Sequence, residues 1–533
     1  MAPRSLKLVL ALAILNASLA FQNLWPTPAI HWEGELSIEF AVLLGLLVMS
    51  SRWLGSPSAA LIRGIAIVWV ALTIGHYADV TAPALYGRDI NLYWDLRFMP
   101  DVAAMVIRAA PFWLVIIVVA VAAMILVALY LLFRWALTLV SVATANAGQR
   151  RGMAAVASII VALFATQWLP GIGPALAASH VLATPVTSTY ARQVRFVAAA
   201  LAGSRPMAAS PAMDSDLSLV QGADVYLVFI EAYGAVAFER ADIAPGLTAA
   251  RATLDAAIRA SGRGAVSAYV DSPTFGGSSW LAHISLLSGV EVRDPETNAR
   301  LMTEKRETLV TQFARHGFAT VALMPGLRQR WPEGAFYGFS EIDDARRLDY
   351  RGPEFGWFAI PDQYSLAKFD AIAGNRTSRP PLFVFYPTIS THFPFSPTPP
   401  YQPDWSRMFD AHPYDGPAIV RAYARQPDWT HFAPGYVDAV SYTYNTLSGY
   451  LRRHADRDFV MILLGDHQPA AAVSGEGASW SVPVHVIASR SEILDRLVAR
   501  GFRDGLTPAR PALAPMNALL PVLLDAFGNR PHQ

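Results

Sequence analysis

Val225-Tyr-Leu-Val-Phe-Ile-Glu-Ala-Tyr-Gly234 sets an uncharged, partly β-branched run against a single carboxylate at its end. Such a run reads as a buried strand, with Glu231 at its carboxyl end. The pattern recurs at Thr320–Met324, Leu382–Tyr386, Phe459–Leu464 and Val482–Ala488. Between them lie stretches with apolar residues at helical spacing, as in Tyr436–Arg453. Strands that alternate with helices predict a mainly parallel sheet covered on both faces. Sites in such sheets form at the carboxyl ends of the strands. This soluble α/β region begins near Leu217, and no convincing internal repeat marks the chain.

Upstream the chemistry changes. Of 533 residues, 53% are hydrophobic and only 16% are charged, where a soluble chain carries about 25% charged residues. The apolar excess is concentrated before Leu169. Pro111–Phe133 holds no charge and matches the roughly 20 residues a bilayer requires. Leu8–Trp25, Ile38–Ser50, Ala59–Ile74 and Met153–Leu169 are four further spans, with Arg63 placed to snorkel. Arg4, Lys7, Arg52, Arg63, Arg134, Arg150 and Arg151 all fall on one side of these spans. That side is expected to be cytoplasmic, which places the chain after Leu169 outside. The alternative for the first span is a cleaved signal peptide. Pro185–Leu201 reads as an interfacial amphipathic helix or tether, and Gly203–Ser215 as a linker. The expected division is therefore a transmembrane domain over 1–170, an interfacial helix and linker over 171–216, and an extracytoplasmic domain over 217–533.

Charge and cysteine content exclude other classes. Lys+Arg 42 against Asp+Glu 41 gives a net charge of +1, which argues against nucleic-acid binding by bulk charge. With no cysteine, disulfides, thiolate ligands and a cysteine nucleophile are ruled out.

The strand ends and turns carry the chemistry. Besides Glu231 there are Gly465-Asp466-His467-Gln468-Pro469, Ser390-Thr391-His392-Phe393-Pro394, and the turn Pro273-Thr-Phe-Gly-Gly-Ser-Ser279, which leads into a helix. Glu231, Asp466 and His467 are ligand types suited to Zn²⁺ or Mn²⁺. A serine oxygen beside such a cation becomes a nucleophile. A helix N-terminus at Ser279 favours a phosphate. Each piece has a plainer reading as well. Glu231 could cap a helix, Asp466-His467 could be a solvated turn, His392 could be structural, and Ser279 could be an ordinary N-cap. Tyr93 and Trp94 read as interfacial anchors, and His76 and Asp79 as boundary residues.

The set resembles the alkaline phosphatase/sulfatase superfamily, and within it the membrane-anchored phosphoglycerol and phosphoethanolamine transferases, the lipoteichoic acid synthase-like branch. Ser279-Trp-Leu-Ala-His-Ile-Ser-Leu-Leu-Ser-Gly289 keeps the end of the sulfatase nucleophile motif in register. The resemblance implies an alkaline phosphatase-like domain behind a five-helix bundle. It implies Ser279 as nucleophile, with Ser278 the next candidate and threonine usual at this place in the transferases. It further implies Glu231, Ser279, Asp466 and His467 around one divalent metal, Mn²⁺ or Zn²⁺, and His392 and Arg330 on the substrate phosphate, with Arg328 competing for the last place. Ser279 lacks the proline at +2 and the arginine at +4 that formylglycine formation needs, so a true sulfatase is disfavoured. The absence of cysteine leans toward the phosphoglycerol branch. Relatives carry a histidine before the final strand, where this chain has Trp480-Ser481; His485 lies inside that strand.

The activity so implied is transfer of a phosphoglycerol or phosphoethanolamine head group from a phospholipid donor to a lipid or glycan acceptor of the cell envelope, through a phosphoserine. The implied location is the inner (plasma) membrane, multi-pass, with the catalytic domain on the periplasmic side and no nucleic-acid partner. The alternatives are a hydrolase using the same site and an inactive membrane scaffold or sensor.

Overall fold

The computed structural model describes the chain apart from residues 1, 26, 54, 93–94, 97–111, 168–180, 203–206, 330, 332, 357–358, 375–378, 429 and 530–533. It divides into two compact units, Met1–Ser204 and Arg205–Gln533.

The first unit is helical: α1 (Ala2–Ala17), α2 (Ile38–Trp53), α3 (Ala59–Tyr86), α4 (Phe112–Ala143), α5 (Ala147–Thr166) and α6 (Val186–Ala202). Helix α2 packs on α5, and α1 and α3 pack on α4. Leu15, Leu44, Trp69, Phe133 and Leu137 meet in the core. Ala59–Leu85 and Phe112–Ala143 are long and apolar enough to cross a membrane. The other three expected spans do not reach that standard among the described residues. Helices α1 and α2 have 16 residues each, roughly 24 Å at the helical rise. The first expected span breaks at Ala17. Gln22–Asn23 (β1) pairs instead with Ile30–His31 (β2), and Asn16 fixes the break by bonding Glu35 O and Ser37 N. Helix α5 carries Arg150 and Arg151 in its first turns. The Leu169 end of the fifth expected span lies outside the described residues, as do Tyr93 and Trp94.

The amphipathic stretch is helix α6, and it packs on α3. Tyr190 donates its hydroxyl to Ala71 O at 2.6 Å, and Asp79 accepts from Thr189 at 2.6 Å and pairs with Arg192. Asp79 therefore has a structural role. His76 bonds Phe21 O at 2.8 Å.

The second unit is built on an eight-stranded sheet: β3 (Asp224–Ile230), β4 (Gly264–Asp271), β5 (Ala319–Met324), β6 (Glu341–Asp344), β7 (Leu382–Pro387), β8 (Phe459–Gly465), β9 (Ser481–Ala488) and β10 (Arg503–Asp504), in the order β10-β4-β9-β8-β3-β7-β5-β6. The pairs β3–β7, β3–β8, β5–β7 and β5–β6 are parallel. The pairs β8–β9, β4–β9 and β4–β10 are antiparallel, so the sheet is mixed: β9 and β10 run against the other six strands, which share the one direction expected of a mainly parallel sheet. The link from β8 to β9 explains the reversal. It holds one four-residue helix, too little for the helical crossover that a parallel return needs.

Alternate residues of β3 serve the two faces. Tyr226, Val228 and Ile230 pack on α7 (Thr248–Ala260), α9 (Asp362–Gly374) and α10 (Ala433–Arg453) through Leu254, Phe369, Tyr436 and Tyr450. Val225, Leu227 and Phe229 pack on α8 (Ser279–Ser288), α11 (Ser491–Ala499) and α12 (Leu519–Phe527) through Leu286, Leu497 and Leu523. Every residue of β3 is buried, so its sequence shows no alternation. All the strands read from sequence are present. The missed β4, GAVSAYVD, carries serine and glycine that break the apolar run.

Candidate active site

Three connections end beside one another at the carboxyl edge of the sheet. Strand β3 delivers Glu231, the adjacent parallel β8 delivers Asp466 and His467, and the turn after β4 delivers Ser279. The register of β3 on β8 pairs Ile230 with Gly465, so the two strand-end carboxylates emerge side by side. A Cβ on Gly465 would collide with the Tyr233 carbonyl, which makes glycine a condition of this close approach. The backbone is left-handed at Ala232 and Ser278, with φ of 52° and 62°. These two residues flank Glu231 and Ser279, where strain of this kind collects at functional sites.

Ser279 Oγ donates to Glu231 Oε2 at 2.9 Å and lies 3.2 Å from His467 Nε2. His467 Nε2 is 3.4 Å from Glu231 Oε1 and 3.7 Å from Asp466 Oδ2. Ligand atoms of Glu231, Asp466 and His467 all lie within 4.8 Å of one another. The Asp466 and His467 side chains are 1% and 3% exposed. Asp466 Oδ1 also accepts from the Ala232 and His467 amides at 2.8 and 2.7 Å. His467 Nδ1 donates to Gln468 O at 2.8 Å, and this fixes Nε2 as the nitrogen turned toward the cluster.

Electrostatics test whether these groups suit a cation. Burial and the charge of Glu231 push Asp466 up to about 8. Burial works against the charged form of His467, but Asp466 and Glu231 together raise it to about 9. Burial likewise works to raise Glu231, yet the hydrogen bond and charge of His467, with the charge of His392, hold it below the usual carboxylate range. The pocket therefore retains protons to balance buried negative charge. Two carboxylates, an oriented imidazole and a hydroxyl fit a divalent ion of borderline hardness.

Other expected residues have different places. His392 is half-buried, donates Nδ1–H to Phe393 O at 2.7 Å, and its charge acts on Glu231. Arg330 lies outside the described residues. Its competitor Arg328 is exposed in the loop after β5. Ser278 makes no side-chain cap bond at the start of α8. His485 is buried within the sheet, bonding Ser267 Oγ through Nδ1 at 2.6 Å and Tyr233 through Nε2 at 3.0 Å. It does not replace the missing histidine near the site. The position four residues after Ser279 holds His283, packed between the rings of Phe229 and Phe385 and pulled by burial to about 3. A neutral ring therefore stands where a sulfatase has arginine.

Several supporting residues had no functional signal of their own in the sequence, Thr391 standing there only as a neighbour of His392. Thr388 Oγ1 accepts from Glu231 N, and Thr391 Oγ1 donates to Glu231 O at 2.6 Å. Asp362 accepts from the Ile389 and Ser390 amides and from Tyr386, anchoring the loop of His392. These bonds span long sequence separations, so no local motif records them.

No protein-family model matches the chain, and no curated protein sequence does. Solved structures do. The chain is similar to the lipoteichoic acid synthase LtaP from Listeria monocytogenes at 12% identity, covering 60% of this chain and 76% of that one with a TM-score of 0.41. It is similar to the integral membrane lipooligosaccharide phosphoethanolamine transferase EptA from Neisseria meningitidis at 13% identity, covering 92% and 88% with a TM-score of 0.49. It is also similar to the phosphoglycerol transferase GacH of Streptococcus pyogenes, in complex with sn-glycerol-1-phosphate, at 12% identity, covering 58% and 76% with a TM-score of 0.37.

Proposed function

We propose that the chain is a membrane-bound, metal-dependent transferase that moves a phosphoglycerol or phosphoethanolamine head group from a phospholipid to an acceptor in the cell envelope. The observation that carries this reading is the meeting of Ser279, Glu231, Asp466 and His467, with Ser279 Oγ 2.9 Å from a carboxylate oxygen. Zn²⁺ or Mn²⁺ held by these four residues would acidify the Ser279 hydroxyl and offset phosphate charge.

In the reaction Ser279 Oγ attacks the donor phosphorus and releases its hydroxyl proton. The bond from phosphorus to the diacylglycerol oxygen breaks, and that oxygen leaves with the proton. His392 and Arg330 hold phosphate oxygens. The amides at the start of α8 favour the negative charge. An acceptor hydroxyl then displaces the serine.

The proposed organisation keeps the membrane domain over 1–170, a tether over 171–216 and the catalytic domain over 217–533. It is multi-pass, with five spans and the catalytic domain outside the plasma membrane. The apolar window of Phe112–Ala143 is 0% buried within the protein. A soluble core helix would be covered, and exposed apolar surface of this extent fits lipid.

Mass spectrometry of the full-length protein with phosphatidylglycerol and phosphatidylethanolamine vesicles tests the reading. Wild type should gain one head-group phosphate on Ser279. Ser279→Ala should gain none; an undiminished adduct in that variant rules out Ser279 as the nucleophile. Donor turnover into water alone, with every acceptor class supplied, would make the enzyme a hydrolase.

A further inference from the structure

A second cleft opens at the same edge of the sheet, where β4 ends and β9 begins. Its volume is about 800 Å³, and Asp271, Ser272, Arg293, Ser479, Trp480 and Arg510 line it. It adjoins the nucleophile turn directly. Ser272 Oγ donates to Asp466 O at 2.6 Å, and Ser272 N donates to Trp480 O at 2.9 Å. Phe275, four residues before Ser279, packs on Trp480 with ring centres 5.7 Å apart.

The lining combines the Trp480 indole, Pro511 and Ala512 with ionic and hydroxyl groups. The Arg293 guanidinium lies 5.7 Å from the Trp480 ring centre and pairs with Glu291 at 2.7 Å. Arg510 is held by Glu239 and donates to Ser481 Oγ at 2.8 Å and Ser479 Oγ at 2.7 Å. Asp271 accepts from Ser481 at 2.7 Å. An acyl chain placed here would strip water from these groups and return no hydrogen bonds. A pyranose meets both demands. Its C–H face lies on an indole, and its equatorial hydroxyls match carboxylate and guanidinium geometry. The cleft is large enough for more than one ring.

We propose that this cleft is the acceptor subsite and that the acceptor is a carbohydrate hydroxyl. The inference rests on the phosphoserine reading given above. In the step it serves, a bond forms from the sugar oxygen to phosphorus and the bond from phosphorus to Ser279 Oγ breaks. The sugar's hydroxyl proton restores the serine hydroxyl.

The test uses full-length protein in phospholipid nanodiscs, charged from phosphatidylglycerol or phosphatidylethanolamine, with discharge of the adduct followed by mass spectrometry. The acceptors are disaccharides of glucose, galactose and N-acetylglucosamine, and diacylglycerol vesicles. At least one disaccharide should speed discharge tenfold or more and appear with the head-group phosphate attached. Trp480→Ala and Arg293→Ala should each lower that stimulation at least tenfold relative to adduct formation in the same sample. Arg293 is exposed, so its variant reads binding even where the Trp480 variant disturbs the turn. Discharge that no disaccharide accelerates, or that only diacylglycerol accelerates, overturns the carbohydrate acceptor while leaving the transferase reading intact. Stimulation kept by both variants overturns the cleft as its site. Absence of any adduct in wild type overturns the phosphoserine reading, and this inference with it.

Discussion

His467 commits one nitrogen to the Gln468 carbonyl and turns the other toward Ser279 and Glu231. That division of labour prepares it as a ligand before any ligand binds. The raised values of Asp466 and His467, about 8 and about 9, have a consequence for metal uptake. At neutral pH both groups hold protons in the metal-free protein, and a cation must displace them. Metal affinity should therefore climb as pH rises toward about 9 and fall as pH drops below about 8. Calorimetry in two buffers of different ionisation enthalpy should detect one to two protons released per metal, by the displacement argument. Pure heat of binding with no buffer dependence would contradict the assignment of Asp466 and His467 as ligands.

At the scale of the element, connections matter more than strands. Gly465 permits β8 to end against the Tyr233 carbonyl. Gly465→Ala should push the two strand ends apart and cost about 1–3 kcal/mol, as close-packed backbone positions do. A lowered melting temperature together with weakened metal binding is the expected pair of readouts. The His392 loop hangs on Asp362, a buried carboxyl that burial raises while the Ile389 and Ser390 amides and side-chain bonds oppose the shift. Asp362→Ala leaves two amides and the Tyr386 hydroxyl without their acceptor, at about 1–3 kcal/mol for each buried donor. Thermal stability should drop and the KM for lipid donor should rise, with metal content per chain retained. Unchanged KM in a folded variant would remove Asp362 from the positioning of His392.

At the scale of the whole molecule, the two units differ in how they cover their apolar side chains. In Arg205–Gln533 apolar residues are covered from both sides of the sheet. In Met1–Ser204 the side chains of Trp113, Val119 and Met124 are each more than 60% exposed. Val119→Arg places a charge inside α4, where membrane insertion loses about 2.5–3.5 kcal/mol. The fraction of protein that resists carbonate extraction should fall. Full retention in a variant with normal expression would show that α4 does not lie in lipid.

The sequence by itself determined the parts whose signal is local. Buried strands read as apolar runs, and the lipid-length helix α4 is contiguous in the chain. Glu231, Asp466-His467 and Ser279 each sit at the end or start of a recognisable element. Tertiary structure decided what depends on distant partners. It turned β9 against β8 because the β8–β9 link holds no crossover helix. It ended α1 at Ala17, where Asn16 finds partners beyond a hairpin. It brought Thr388, Thr391 and Asp362 to the site, and it opened a polar cleft beside Trp480. Such contacts join residues from about 20 to more than 200 positions apart, and their energies depend on burial and geometry that no single stretch of sequence carries.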